Sequence, residues 1–409
     1  MKKNNKIKKN KGTDKKKGLR VAVLAVEIII VLILAFVIAM LCIPNSKMKL
    51  LKTVTSCSAG KGLISCFLGS DYEKNMQDTK FDSNKITSNV KLSGDFTNIA
   101  LFGVDLDESR TDTIIVLSIN NKTGEMKMLS VFRDTVLEFI TQDSKGKNVF
   151  NYDKANQGYA RGGAECAINM LNTNLDLNIK DYVQVNFAGL ANIIDSLGGI
   201  DVYVSDNEKG HLNNYLVELR KATGKNDPDV TKSNQVVHLT GLQATAYCRI
   251  RYSSFTRDGV TYNDDYARTE RQRYVLETIF AKAKVAGASE MLDVANQLFK
   301  ENTGDDKFMT TSLSLNDILD LIPLLLDFNI VDSKGFPFEK TSGSFAPLYI
   351  TNTGAQGSLY NQNLSCVFVK NLAQNVTELH SYLFGVNNYV PTENVNEIGQ
   401  NLVSATGIQ

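Results

Sequence analysis

The chain has 409 residues, with 45 Lys/Arg against 44 Asp/Glu and a formal net charge of +1, enough for one large domain or two ordinary ones. The near-neutral total hides an uneven distribution: the first twenty residues, MKKNNKIKKNKGTDKKKGLR, hold ten Lys/Arg and one acid, Asp14, leaving 35 basic against 43 acidic residues in the remainder. A basic tail on a mildly acidic body argues against a nucleic-acid-binding domain, and six scattered cysteines without a C-x-x-C, with His211, His238 and His380 isolated, make zinc chemistry and a cysteine nucleophile poor fits.

In chain order, residues 1–20 show no apolar periodicity and are expected to form a disordered cytoplasmic tail. The run VAVLAVEIIIVLILAFVIAMLCI, residues 21–43, is long enough for the roughly 20 residues that cross a bilayer. Glu27 is its only charge; a carboxylate costs about 2.5–3.5 kcal/mol at mid-depth, which about twenty apolar residues at about −0.3 to −0.6 kcal/mol each outweigh. The run is too long for a cleaved signal peptide and no small-x-small site follows, so a transmembrane signal anchor is expected. The lysines then stay inside and residues 45–409 face outward, in a single-pass cell-membrane protein. Residues 44–95 read as a polar extracytoplasmic stem, in which Cys57 and Cys66 could close a small disulfide that nothing demands.

From residue 96 regular structure is expected. "NIALFGVD" reads as a buried strand, and "TIIVLSIN" and "EMKMLSVF" as a hairpin around the "NKTG" turn. "GGAECAINMLNTNLDL" has helical spacing, "DYVQVNF" and "IDVYV" read as strands, and "AGLANIIDSLGG" as a helix ended by glycine. "LTGLQATAYCRIRY" reads as a short helix running into a strand, followed by a long helix from Tyr266 to about Ala286 and another in "SLNDILDLIPLL" with Ser314 as N-cap. One closing helix is expected over 367–383. The alternation predicts an α/β domain, layered on both faces of a mixed sheet, with a core at 96–286 and a C-terminal extension at 287–409.

Charged side chains recur at the expected strand ends. Arg249 and Arg251, two apart on the expected strand, would share a face; Arg268 and Arg271, three apart on the next helix, would also share one. Guanidiniums gathered at the carboxyl end of α/β strands suit a phosphate. Within "GVDLDESRTDT" Asp105 would lie just after one expected strand and Asp112 just before the next, and both suit a hard cation such as Mg²⁺. "SVFRDT" adds Arg133 and Asp134, "DKANQGYARGG" adds Lys154, and Gly162–Gly163 would open a helix whose N–H groups could face an anion. Each signal has an ordinary alternative: a solvated acidic turn, a cap, an ion pair, a charged helix face. Together they favour a phosphate-and-metal site.

The ordered segments "GVD…RTDT", "SVFRDT", "DKANQGYARGG", "DSLGGIDVYV", "LTGLQATAYCRIRY" and "DDYARTERQRYVLETI", from about 95 to 285, closely resemble the extracytoplasmic domain of the LytR-CpsA-Psr proteins of Gram-positive cell walls. The resemblance implies an α/β/α sandwich with a hydrophobic polyprenyl pocket. It implies a Mg²⁺-dependent phosphotransferase moving an anionic glycopolymer, teichoic acid or capsule, from an undecaprenyl-pyrophosphate carrier to peptidoglycan. The implied metal ligands are Asp105 and Asp112. The implied pyrophosphate ligands are Arg110, Arg133, Lys154, Arg249, Arg251, Arg268, Arg271 and Gln272, and the implied catalytic group is Asp112, Arg133, Asp134, Arg249 and Arg251. Departures are the short loop between Asp105 and Asp112, K-A-N for K-I-N, and R-Q-R for R-Q-Q, whose Arg273 is expected to face solvent. A regulatory protein, a lipid-carrier-binding module without turnover, and a lipid pyrophosphatase are the competing readings; none involves nucleic-acid contact.

Overall fold

The computed structural model describes residues 74–90, 95–104, 110–286, 297–303, 307–314 and 329–408, with Tyr72, Val294, Asn316 and Asp317. The expected tail, anchor and Cys57–Cys66 segment lie outside these residues, as do Asp105 and most of the helix expected after Ser314. No helix among the described residues is long and apolar enough to cross a membrane.

The strands and helices follow in chain order as β1 (Phe96–Val104), β2 (Thr111–Asn120), β3 (Glu125–Val131), β4 (Val136–Gln142), β5 (Asn148–Lys154), α1 (Asn156–Leu175), β6 (Asp181–Val185), α2 (Phe187–Ser196) and β7 (Ile200–Val204). Then come α3 (Asp206–Thr223), β8 (Gln235–Leu239), α4 (Gly241–Cys248), β9 (Phe255–Arg257), β10 (Val260–Tyr262), α5 (Asp264–Ala286), β11 (Met309–Thr311) and β12 (Asn329–Phe336). The chain closes with β13 (Lys340–Phe345), β14 (Leu348–Thr351), β15 (Gln356–Ser358), β16 (Leu364–Val369), α6 (Leu372–Phe384) and α7 (Glu393–Thr406).

Six strands form the central sheet in the order β11-β6-β1-β2-β3-β12. It is mixed: β1–β6 and β3–β12 are parallel, the other pairs antiparallel. The β2–β3 hairpin turns as expected, because Gly124 takes φ 71° and the Asn120 side chain accepts from the Lys122 and Thr123 N–H groups.

Both sheet faces are covered, which explains why β2 reads as a continuous apolar run. Ile114 and Val116 pack with Phe102, Leu129 and the α1 residues Ala167, Ile168 and Leu171. Ile115, Leu117, Met126 and Met128 face the other way, toward Leu276 and Phe280 of α5. A further apolar cluster joins α2, β7, β8, α3 and α4 to Val275 and Ile279 of α5. Each such side chain contributes about 1.5–3 kcal/mol on burial.

Three expectations are corrected. Tyr72 and residues 74–90 run along the body instead of standing off as a stem: Tyr72 and Met76 are buried, and Tyr72 Oη donates to the Leu313 carbonyl at 2.6 Å. No strand forms at "YCRIRY". The Thr240–Gln243 capping box starts α4, which buries Leu242, Ala246 and Tyr247 and ends with Arg249 at its C-cap. Gly162 and Gly163 precede a helix as expected: they are non-helical, with Gly163 at φ 65°, and break α1 into a first part from Asn156 and a second that runs to Leu175. The expected helix over 367–383 divides, because Leu364–Val369 pairs as a strand with β13 and Asn371 then caps α6. Beyond it lies an unexpected helix, α7, capped by Thr392 and burying Val395, Ile398 and Leu402.

Helix α7 packs over Glu138 of β4, whose carboxylate accepts from Asn401 Nδ2 at 3.2 Å. Burial, reinforced by nearby Glu397, raises the Glu138 pKa against the hydrogen bonds from Tyr152 and Asn401. A carboxyl whose folded pKa is raised costs stability when ionised, and that cost fades as the pH falls through the folded pKa. Glu138→Gln should therefore raise the thermal unfolding midpoint at pH 7 by a few degrees, with the difference shrinking in acid. A lower midpoint at pH 7 would count against this account.

Candidate active site

Val104 of β1 pairs with Thr111 of β2, so β1 ends and β2 begins at one edge of the sheet. β3 runs antiparallel to β2 and parallel to β12, so both end at that same edge. Ligand sites of α/β sheets gather where parallel strands finish. Here β2 supplies Asp112, the turn after β3 supplies Arg133 and Asp134, and Lys154 ends β5. The first turns of α5 bring Asp265 and Arg268, and Arg251 follows α4.

Arg133 is the hub of this cluster. Its Nη1 donates to Asp112 Oδ1, and its Nε lies 3.7 Å from Asp134 and 3.8 Å from Asp265. Lys154 Nζ is 2.7 Å from Asp134 Oδ1. Arg268 Nη2 lies 2.8 Å from Asp265 Oδ1 and 3.0 Å from Oδ2, and Arg251 Nε is 3.8 Å from Asp265 Oδ1. Four cations thus surround three carboxylates, and the Nε atoms of Arg133 and Arg268 are buried without a hydrogen-bond partner. Orphaned buried donors and one surplus positive charge are what an arriving anion would satisfy.

The electrostatics follow from this packing. Burial pushes the Arg268 guanidinium down to about 10, helped by the like charges of Arg133 and Arg251 and opposed by Asp265 and Asp112. Burial would raise the Asp112 carboxyl, but Arg268, Arg133 and Arg251 outweigh it and hold the carboxyl below its ordinary value. An acid whose folded pKa is depressed contributes stability above its unfolded value, about 3.9, which is lost as the pH falls through the folded pKa. Wild type should therefore lose stability faster than Asp112→Asn when denaturant unfolding is followed downward from about pH 5. Parallel curves for the two proteins would show that Asp112 is not held ionised in this way.

The structure does not bring all the expected residues to the cluster. Arg271 is fully buried, donating to Glu208 Oε1 at 2.8 Å and to the carbonyls of Ile250, Ser253 and Ser254 at 3.2, 2.8 and 2.9 Å. Its donors are spent on the fold, holding the loop that carries Arg251. Arg249, released from the expected strand, turns away from Arg251: its guanidinium lies 5.0 Å from the rings of both Phe187 and Tyr215 and 3.1 Å from Glu218. Gln272 makes a 3.5 Å contact to the Cys248 carbonyl, and Arg110 is exposed just before β2. Arg273 does not face solvent: it is buried, bonded to Glu270, with its Nε and Nη1 unpartnered. Burial pushes it down to about 10. Asp265 was missed, although its spacing of three from Arg268 is the signature of a helical ion pair.

As to the expected Mg²⁺, no group of three or more His, Cys, Asp or Glu among the described residues is arranged to hold a metal ion by itself. At the cluster the Asp112 carboxylate is held in its ionised form by the guanidiniums of Arg268, Arg133 and Arg251. One or two such carboxylates completed by phosphate oxygens is a common way to hold Mg²⁺, so the donor chemistry fits if the phosphates supply the rest.

Next to the cluster a cavity of about 580 Å³ opens between β4, β16, α6 and α7, lined among others by Val136, Phe368, Leu372, Val395 and Leu402. Val136 is the cross-strand partner of Lys154, so cavity and cluster share the β4–β5 edge.

The LytR_cpsA_psr family model matches residues 66–325. The chain belongs to the LytR-CpsA-Psr family. Similar relatives include the polyisoprenyl-teichoic acid–peptidoglycan teichoic acid transferase TagU of Bacillus anthracis, 28% identical over 256 residues that cover 59% of this chain and 73% of the relative. The TagU of Bacillus mycoides is 30% identical over 244 residues, covering 59% and 68%. Among solved structures, TagT bound to LIIa-WTA aligns with 76% of this chain and 99% of its own at a TM-score of 0.49 and 22% identity. In this LytR-CpsA-Psr chain the C-terminal elements β12 to α7 lie beyond the matched residues.

Proposed function

We propose that this chain is a membrane-anchored phosphotransferase that moves an anionic glycopolymer from an undecaprenyl-pyrophosphate carrier to peptidoglycan, forming a phosphodiester. The observation that carries the proposal is the convergence of Arg133, Lys154, Arg251 and Arg268, with two buried guanidinium donors unfilled. The names of the relatives supply the substrate class. The cavity beside Lys154 offers apolar lining for a polyprenyl chain whose head group lies at the cluster.

A sugar hydroxyl of peptidoglycan attacks the phosphorus attached to the glycan. A new P–O bond forms, the bridging P–O bond breaks, and lipid monophosphate leaves. The main task of the protein is to stabilise charge on the transferring phosphoryl group, which Arg133, Arg251 and Arg268 do from fixed positions. Asp112 is a weak base because the guanidiniums favour its ionised form, so the hydroxyl proton passes to Asp134, oriented by Lys154. Mg²⁺, held by Asp112 and by Asp105 outside the described residues, would add positive charge at the phosphate oxygens.

The test uses the full chain in detergent micelles with a lipid-pyrophosphate-linked saccharide and a peptidoglycan oligomer, with Mg²⁺ or chelator, followed by mass spectrometry. The expected products are a phosphodiester conjugate and lipid monophosphate, lost with chelator and in Arg251→Met. Donor binding without product would instead establish a carrier-binding protein, and saccharide phosphate released to water a pyrophosphatase.

A further inference from the structure

The C-terminal extension returns to the edge of the cluster. β12 runs parallel to β3 as far as Phe336 paired with Val131, and β13 then begins at Lys340. The Lys340 ammonium lies over two rings, 5.2 Å from the centroid of Phe132 and 5.3 Å from that of Tyr266. Those rings pack edge to face, 4.7 Å apart. Phe132 directly precedes the hub Arg133, and Tyr266 directly follows Asp265, so Lys340 stands on the aromatic pair that joins the turn after β3 to the start of α5.

Its hydrogen bonding is incomplete. Nζ donates to one acceptor, the Pro337 carbonyl at 3.2 Å, and an ammonium has three donors. Among the described residues no carboxylate pairs with it, whereas Arg133, Lys154, Arg251 and Arg268 each have an acid within 4 Å. Burial lowers the Lys340 pKa with nothing to oppose it. A methionine could fill the same space against two rings without desolvating a charge. The position therefore holds an ammonium with spare donors beside an anion site, on a segment outside the residues matched by the family model.

We propose that Lys340 is a specificity-determining residue that binds an anionic group of the donor polymer, a phosphodiester or a carboxylate, next to the pyrophosphate cluster. This rests on the function proposed above. The aromatic pair limits where the ammonium can move, so its contact selects donors that carry charge close to the pyrophosphate. A neutral saccharide gains nothing from it.

The test compares three synthetic lipid-pyrophosphate donors whose saccharide carries a phosphodiester, a uronate or no charge. Their binding to the full chain in detergent is measured by calorimetry, which does not depend on turnover. Lys340→Met should reduce the preference for a charged over a neutral donor about tenfold, Lys340→Arg should largely keep it, and the charged donor that loses more names the group recognised. An equal weakening on all three donors, or no change on any, overturns the assignment. Should wild type bind none of the three, the pyrophosphate reading of the cluster falls first and this proposal with it.

Discussion

Arg271→Met should cost about 3–5 kcal/mol of stability, the usual loss when one partner of a buried ion pair is removed. Arg271 is wholly buried and Glu208, its partner at 2.8 Å, is nearly so. Glu208 also closes the capping box that starts α3, accepting from Ser205. The substitution strands this carboxylate and frees three carbonyls of the 250–254 loop. Denaturant unfolding should report most of the loss, and the double variant Glu208→Gln, Arg271→Met should recover part of it, because no unpaired charge is left buried. A loss under about 1 kcal/mol, or a double variant worse than the sum of the singles, would mean that Arg271 is not the structural tie described here. Donor affinity should weaken only as far as the loop displaces Arg251.

The comparison of Arg268 with Arg271 shows where reading the sequence succeeds and where it stops. Helical spacing placed both near one face of α5, and both are buried. Which of them meets an anion depends on what that face touches: Glu208 and carbonyls of the 250–254 loop for Arg271, Asp265 and the turn after β3 for Arg268. Periodicity carries no information about neighbours so distant in sequence. The central strands were legible because β-branched runs buried on both faces have few other uses, and the hairpin because Asn120 and Gly124 mark its turn. "YCRIRY" failed for a local reason: its alternation imitates a strand, while the Thr240–Gln243 capping box has already committed the chain to a helix. Helix α7 was missed because it is rich in Asn and Glu, and only Val395, Ile398 and Leu402 mark its buried stripe. Arg133 and Asp134 were legible from their place after an expected strand, whereas Lys154 was expected on a loop and in fact ends β5. Lys340 was not legible, since only the parallel pairing of β12 with β3 brings it back.

Arg133→Met and Asp112→Asn should move anion affinity in opposite directions, which separates a phosphate site from a structural ion-pair network. With four cations and three carboxylates the cluster carries one surplus positive charge. Losing Arg133 removes that surplus together with the unfilled Nε donor. A charge-assisted hydrogen bond is worth about 1.5–3 kcal/mol, so affinity for inorganic pyrophosphate should fall roughly 10- to 100-fold by calorimetry. Asp112→Asn instead frees the Arg133 fork from its strongest partner and raises the surplus. With chelator present it should bind pyrophosphate more tightly than wild type, and with Mg²⁺ it should lose that advantage while transfer collapses. A network built only for stability would show neither trend: both variants would unfold more easily and neither would change affinity in the direction of its charge. If Asp112→Asn bound pyrophosphate more weakly in chelator as well, Asp112 would be orienting Arg133 for the phosphate and not competing with it, and its assignment as a metal ligand would have to be withdrawn.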